Sequence, residues 1–383
     1  MPFTPRSSLP ILRPICGFIN RDLLLPLLMA FSFGLVGGGW RTDVFLRIGR
    51  DLPDQFPLVG VAVRSSEKRT RLANDWSVSV FATVEELLTK QSPDFVVTSV
   101  SAPANLELTE FLSERGIPVL SETPIGRDLA ELQRVTALEK KGARIQVAEQ
   151  YLFQPLHAAR LALIESGRLG TIYEADVSIA HGYHGISLLR HFLQVGLRLP
   201  KIRAQRFTSR IVDGPGRDGP PKEERLVESE RTIAQLDFGD RLGIYDFTGD
   251  QYFSWIRSHR LLVRGEKGEI NQTTVRLLQE FSIPFQFELV RRDTGHTGNL
   301  EGYTHQAIHG GGEILYQNPF PGMRWSDDEI AVATSLSRMG HYLNTGEPCY
   351  SVAEACHDCY LDLLIKEAVA NGREVTGQPQ LWM

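Results

Sequence analysis

The sequence predicts an α/β domain built on a parallel sheet, followed by an α+β domain with an open, largely antiparallel sheet. Three observations carry this. Short apolar runs alternate with helical patterns from Phe31 to Ala148, as parallel strands covered on both faces require. A glycine cluster, Gly37–Gly39, follows the first of these runs directly. Beyond Thr171 the runs lengthen and are joined by tight-turn signals, the pattern of antiparallel hairpins.

Taken in chain order, Phe31–Val36 reads as a strand, Arg41–Ile48 as a helix, Leu58–Val63 as a strand and Glu67–Asn74 as a helix. Ser79–Phe81 is a short extended run before a helix at Val84–Leu88 and a strand at Phe95–Val100. Leu106–Glu114 is a helix, Val119–Leu120 a strand end, Asp128–Lys140 a helix and Arg144–Ala148 a strand. In the second domain Tyr173–Ile179, Arg231–Phe238, Arg241–Thr248, His259–Arg264 and Phe285–Arg291 read as strands, with hairpin turns at Gly239-Asp240 and Glu266-Lys267-Gly268. Asp213–Glu224, rich in Gly, Pro and charge, reads as an exposed loop. Ser326-Asp327-Asp328-Glu329 is a capping box that opens a helix, and Ser351-Val352-Ala353-Glu354 opens another. The expected divisions are a disordered extension at 1–30, a first domain at 31–153 and a second at 154–383.

Composition narrows the function classes. The chain has 383 residues, 42% hydrophobic and 23% charged, with a net charge of -5. That balance lacks the basic excess of a nucleic-acid binder, so no nucleic-acid partner is expected. Cys16 stands alone and Cys349, Cys356 and Cys359 cluster inside an apparent helix, which argues against a disulfide framework and for a reducing, cytoplasmic setting. The Cys356–Cys359 spacing lacks a second ligand pair and reads as helix packing, not a metal site. Arg6, Arg13 and Arg21 before the apolar Leu23–Val36 mimic a signal peptide. Because that run flows straight into the glycines, its end serves better as a first strand, and no membrane partner is expected.

The glycines open the functional argument. Gly37-x-Gly39-x-x-Thr42 fits the dinucleotide-binding fingerprint at all but its last position. Glycine there permits a tight turn and lets backbone N–H groups approach a pyrophosphate at the helix N-terminus. An ordinary turn is the alternative. After the second strand comes Val63-Arg64-Ser65-Ser66, with no acid for a ribose 2′-hydroxyl. A guanidinium and two hydroxyls suit a 2′-phosphate instead, so NADP is expected ahead of NAD; a merely solvated Arg64 is the alternative. Farther on, Glu122, Thr123 and Pro124 stand at the mouth of a buried strand, where ligands of such sheets collect.

The glycine pattern, "GIPVLSETPIG" and "VAEQYLFQPLHAARLALIESGRLGTI" together resemble the Gfo/Idh/MocA oxidoreductase family, most specifically over 116–172. The resemblance implies a nicotinamide-dinucleotide domain and an open sheet used for homo-oligomerisation. The positions expected to bind cofactor are Gly37, Gly39, Trp40, Arg41, Arg64, Ser65, Ser66, Glu122, Thr123, Pro124 and Gln150. The family's Glu-Lys-Pro reads Glu122-Thr123-Pro124 here, so the cation beside the reacting hydroxyl is replaced by a hydroxyl; the peptide before Pro124 is expected to be cis. The family's histidine motif, an Asp four residues before a His and another three after, becomes Ala180, His184 and Ser187. His184 is therefore the candidate proton carrier, with Tyr183 and Thr123 completing the catalytic set; a packed or capping histidine is the alternative. No metal is expected from His181, His184 and His191, which have no carboxylate at ligand spacing. Asp246, Asp250, Tyr252, Trp255 and Arg257 fall in one short span that suits a sugar-like ligand or a dimer interface equally. The expected function is NADP-dependent (or NAD-dependent) oxidation of a sugar or sugar-derived polyol. Cofactor-assisted elimination or glycosidic cleavage, and a non-catalytic dinucleotide and sugar sensor, are the alternatives.

Overall fold

In the computed structural model, which describes residues 30–295 and 303–383, the alternating apolar runs form one six-stranded parallel sheet. Its strands are β1 (Phe33–Val36), β2 (Leu58–Ala62), β3 (Val80–Phe81), β4 (Phe95–Thr98), β5 (Val119–Ser121) and β6 (Ile145–Val147), in the order β3-β2-β1-β4-β5-β6. The helices between them are α1 (Trp40–Asp51), α2 (Ser66–Trp76), α3 (Val84–Lys90), α4 (Ala102–Ser113) and α5 (Leu129–Lys140). Leu35, Val96, Val97, Val119 and Leu120 are wholly buried, which is why these strands read as continuous apolar runs rather than as alternation. Strand order reverses between β1 and β4, and the crevice outside the carboxyl ends there is where a ligand fits. Ser65, Thr83 and Asp128 cap their helices by accepting from the backbone N–H three residues on. The fourth helix begins at Ala102, four residues before the expected start, because Pro103 occupies a first-turn position that needs no N–H donor. The expected extension at 1–30 lies, but for residue 30, outside the described residues.

The second domain opens with α6 (Pro155–Glu165), β7 (Ile172–Ser178) and α7 (Gly182–Leu193). There follow β8 (Lys201–Val212), β9 (Leu226–Asp237), β10 (Leu242–Thr248), β11 (Arg260–Gly265), β12 (Gly268–Asn271), β13 (Thr274–Glu280) and β14 (Ile283–Glu288). Next come β15 (Val290–Thr294), β16 (Thr304–Gly310), β17 (Glu313–Gln317), α8 (Asp327–Thr345), α9 (Val352–Asn371) and β18 (Val375–Thr376). Nine strands make one sheet, β14-β13-β12-β11-β7-β10-β9-β8-β18, antiparallel except for the pairing of β7 with β10. Both hairpin turns fall where expected, as do both capping boxes, at Ser326/Glu329 and Ser351/Glu354. The strand expected at Phe285–Arg291 is two strands. Leu289 is buried and donates its N–H to Thr273, and beyond it the chain leaves the large sheet for the three-stranded β15-β16-β17.

One face of the large sheet packs on α7 and α9, while α9 also rests on α5 and α8 on α1. Val147 of the first sheet donates to the carbonyl of Tyr350, so the C-terminal helices tie the two sheets together. Cys349, Cys356 and Cys359 are buried, free thiols within this packing.

Candidate active site at the domain junction

The glycine turn is built for close approach. Gly37 has φ +141°, and a β-carbon there would lie 1.9 Å from the carbonyl oxygen of Ser99. At Gly38 it would press on Val63 and Lys68; at Gly39 it would meet nothing within 4 Å. The turn is thus fixed on its inner side and open where α1 begins, the cradle a pyrophosphate requires. A cavity of about 1550 Å³ starts here and runs along the strand ends into the second domain.

Of the positions expected to bind cofactor, Gly37, Gly39, Trp40, Arg41, Arg64, Ser65, Glu122, Thr123 and Gln150 line this cavity. Ser66 and Pro124 do not: Ser66 is the first residue of α2, and Pro124 follows Thr123 across a peptide that is cis, as expected. Lys68, unremarked in the sequence, joins Arg64 and Ser65 at the β2 end. Arg41 is engaged already. Its Nε lies 3.4 Å from Glu122 Oε1, and its Nη1 2.6 Å from Asp328 Oδ2 at the start of α8. Gln150 Nε2 reaches the other oxygen of Asp328 at 3.2 Å. Burial opposes charge on Arg41, but Glu122 and Asp328 outweigh it and raise its pKa. Burial raises the Glu122 carboxyl against the pull of Arg41. These contacts tie α8 to the floor of the cavity.

The second domain supplies the groups that can move protons. Only Ile179, Ala180 and His181 separate β7 from α7, and Gly185 lies so close to the Ala180 carbonyl and the Tyr245 ring that α7 is seated directly on the sheet. His184, in its first turn, is buried, with Nδ1 2.5 Å from Glu149 Oε2. Glu149, also buried, follows the last strand of the first sheet. Its carboxylate accepts a hydrogen bond from Nδ1–H, which fixes the tautomer and leaves Nε2 without a protein partner among the described residues. The ring is flanked by Tyr183 at 4.5 Å, Tyr151 at 4.8 Å and His181 at 5.0 Å between centroids. Thr123 and Tyr183, the two other expected catalytic groups, both line the cavity, and Thr123 lies close enough to the Tyr183 phenol to favour its ionised form. Burial raises the Tyr183 and Tyr151 phenols above their ordinary value.

A second chain runs beside the first. Tyr252, which lies beside Tyr151, has a hydroxyl that accepts from the His181 backbone N–H at 3.0 Å and sits 2.6 Å from His181 Nδ1. Burial first, then His184 and Lys366, lower the His181 pKa to about 4. His181 is therefore neutral above that pH, with Nδ1 free to accept from Tyr252. A proton NMR titration should find its midpoint near 4; a midpoint near the ordinary 6.5 would show that the imidazole is solvated instead.

Other expected site features separate in space. His191 turns to Glu354 at 3.2 Å, and Ser187 to the Tyr350 hydroxyl at 2.9 Å. No group of three or more His, Cys, Asp or Glu side chains able to hold a metal occurs among the described residues. The span from Asp246 to Arg257 divides: Tyr252 lines the cavity, Trp255 is exposed, and Asp246 lies on the opposite face of the sheet from Tyr245, paired with Arg231 and Arg260. The expected exposed loop at Asp213–Glu224 is exposed, but Gly216 and Arg217 at its tip bend back to line the cavity.

Comparison with known proteins fits this geometry. Residues 31–149 match the Gfo/Idh/MocA oxidoreductase family with its NAD-binding Rossmann fold. Over 155 residues the chain is 24% identical to D-apiose dehydrogenase of Paraburkholderia graminis, covering 40% of this chain and 41% of that protein. Over 97 residues it is 35% identical to a myo-inositol dehydrogenase of Streptomyces leeuwenhoekii, covering 25% and 30%. The matches thus span less than half the length of these curated relatives. In three dimensions the chain resembles a myo-inositol dehydrogenase from Corynebacterium glutamicum, with a TM-score of 0.62 at 16% identity over 92% of this chain and 100% of that one. That likeness establishes a shared two-domain fold. No helix among the described residues is long and apolar enough to cross a membrane.

Proposed function

We propose, from a dinucleotide-binding domain of the Gfo/Idh/MocA oxidoreductase kind at residues 31–149, that this protein oxidises or reduces a hydroxyl-bearing carbon of a sugar or polyol. The observation that carries the proposal is the convergence, in one cavity, of the open glycine turn and a buried Glu149–His184 pair delivered from two domains. The turn at Gly37–Gly39 and the N-terminus of α1 would hold the pyrophosphate. Glu122, Thr123, Gln150 and Tyr151 would flank the nicotinamide, which when bound accepts or donates hydride.

The chain's own task is the proton. Glu149 holds Nδ1–H of His184, so Nε2 is the basic atom facing the cavity and takes the substrate hydroxyl proton as hydride leaves the same carbon. The nearby carboxylate stabilises the positive charge that develops on the ring, the logic by which a buried acid serves a histidine base. Tyr183, beside Thr123, offers a neutral hydroxyl to the substrate oxygen. Thr123 stands where the family resemblance places a lysine, and with Tyr183 it supplies hydrogen bonding in place of a full charge. Tyr151, Tyr252 and His181 form a polar wall that suits a polyhydroxylated ligand; the D-apiose and myo-inositol enzymes among the relatives act on such compounds. The exposed side chains on the open face of the second sheet, Phe207 and Leu242 among them, form the surface through which copies of the chain would associate.

Arg64, Ser65 and Lys68 favour a 2′-phosphate, so NADP(H) should bind more tightly than NAD(H). Arg64→Ala should erase roughly tenfold of that preference, the weight of a charge-assisted hydrogen bond. Calorimetry with both dinucleotides, followed by absorbance at the reduced nicotinamide band against a panel of aldoses and cyclitols, tests cofactor and activity together. Equal affinities in wild type would remove the NADP assignment. Tight dinucleotide binding with no absorbance change for any member of the panel would favour a sensor.

A further inference from the structure

The hairpin that joins β8 to β9 does not end with its strands. Past the last register pair, Val212 with Leu226, Asp213 N–H donates to the Arg225 carbonyl at 2.8 Å, and the two side chains form an ion pair at 2.6 Å. Farther out, Gly216 and Gly219 exchange backbone hydrogen bonds at 2.9 and 3.1 Å, closing a four-residue tip of Gly216-Arg217-Asp218-Gly219. A positive φ of +104° at Gly219 supports that reversal. The segment is thus a braced arm with one cation at its end.

That cation lands on the first domain. The Arg217 guanidinium carbon sits 4.0 Å from the centroid of the Trp40 ring, and that of Arg41 lies 4.6 Å from the same ring. Phe253 flanks Arg217 at 5.8 Å. Trp40 is the first residue of α1, next to the open side of Gly39. Among the described residues Arg217 has no carboxylate within ion-pair distance, unlike Arg41, which has two. A planar, unpaired guanidinium held by aromatic rings beside a phosphate cradle presents its donors as a fork suited to phosphate oxygens.

We infer that Arg217 is a clasp: carried by the second domain, it closes over the pyrophosphate of the bound dinucleotide and slows its release. The inference rests on the reading of this cavity as a dinucleotide site. With cofactor in place the arm would link the domains through the ligand, so that release requires the tip to lift from Trp40.

The test is stopped-flow displacement of NADPH from the full-length protein, followed by energy transfer from tryptophan to the reduced nicotinamide. In wild type, release should quicken with salt. Arg217→Ala should release NADPH about tenfold faster, with a weaker salt dependence, the result of losing one charge-assisted contact. Arg217→Lys, which keeps the charge and loses the fork, should fall between them. Release at the wild-type rate from Arg217→Ala would overturn the clasp while leaving the dinucleotide site standing. So would a raised KM for the sugar with NADPH release unchanged, which would place Arg217 on the substrate. Failure of the wild type to bind any nicotinamide dinucleotide would overturn the clasp together with the reading beneath it.

Discussion

Replacing His184 with alanine should lower turnover by roughly 10²–10⁴-fold while NADP(H) affinity stays close to wild type, the range expected when a positioned general base is removed. The separation follows from the geometry. His184 enters from α7 of the second domain, whereas the glycine turn, Arg64, Ser65 and Lys68 lie on the first. Glu149→Gln should reduce turnover less than His184→Ala does. The amide keeps the shape, but it can donate as well as accept, so it no longer fixes which ring nitrogen carries the proton, and it cannot stabilise a charged ring. Steady-state kinetics with the best substrate of the panel, alongside calorimetry of the dinucleotide, read both effects. Full activity in His184→Ala would end its role as proton carrier. Equal loss of turnover and of dinucleotide affinity would mean that the substitution damages the fold.

Asp358→Ala should be the most destabilising of the simple truncations, lowering unfolding free energy by about 3–5 kcal/mol, the usual penalty for leaving a buried charge without its partner. Arg190 and Asp358 are 2.6 Å apart, with side chains only 2% and 3% exposed. Burial works against charge on Arg190, but Asp358 and Tyr350 keep its pKa raised. Tyr350 also bonds Asp358, and a second guanidinium nitrogen donates to the Gly196 carbonyl at 2.6 Å. The network joins α7 to α9 behind His184, so activity should fall with stability. The double change Arg190→Met with Asp358→Leu should recover most of the loss, because apolar groups of similar volume need no partner. Urea unfolding followed by circular dichroism measures both. An Asp358→Ala protein with an unchanged midpoint would show that the guanidinium is satisfied by its carbonyl and water alone.

The parallel sheet was legible because each strand is buried on both faces and leaves an unbroken apolar run, while the helices between carry their own caps. The sequence of β8, "KIRAQRFTSRIV", hid its strand because most of its side chains face solvent and mix charge with apolar groups. Its pairing is decided by twelve register contacts with β9, not by any local signal. The site was legible where a residue type must stand beside a turn, as at Gly37, Gly39 and Arg64. It was illegible where a partner comes from elsewhere. Glu149 lies 35 positions from His184 and on the other domain. Asp328 reads as one acid of a capping box, yet its side chain reaches Arg41, 287 positions away. Arg217 sits in a stretch whose composition says only that it is a loop. Lys68 was within reach of sequence reasoning, since the third residue of a helix that starts at the end of β2 faces the glycine turn.

In the proposed reaction this cavity transfers hydride between a sugar carbon and a nicotinamide while the Glu149–His184 pair carries the proton. Its most direct test is the fate of a label: a sugar or cyclitol of the panel, deuterated at each carbinol carbon, is incubated with the protein and NADP⁺, and the dinucleotide is analysed by mass spectrometry. One deuterium is expected at the nicotinamide ring in wild type, with a rate of appearance in His184→Ala lower by roughly 10²–10⁴-fold. Bound NADP⁺ that gains no deuterium from any substrate, or a label that transfers equally fast in His184→Ala, would contradict it.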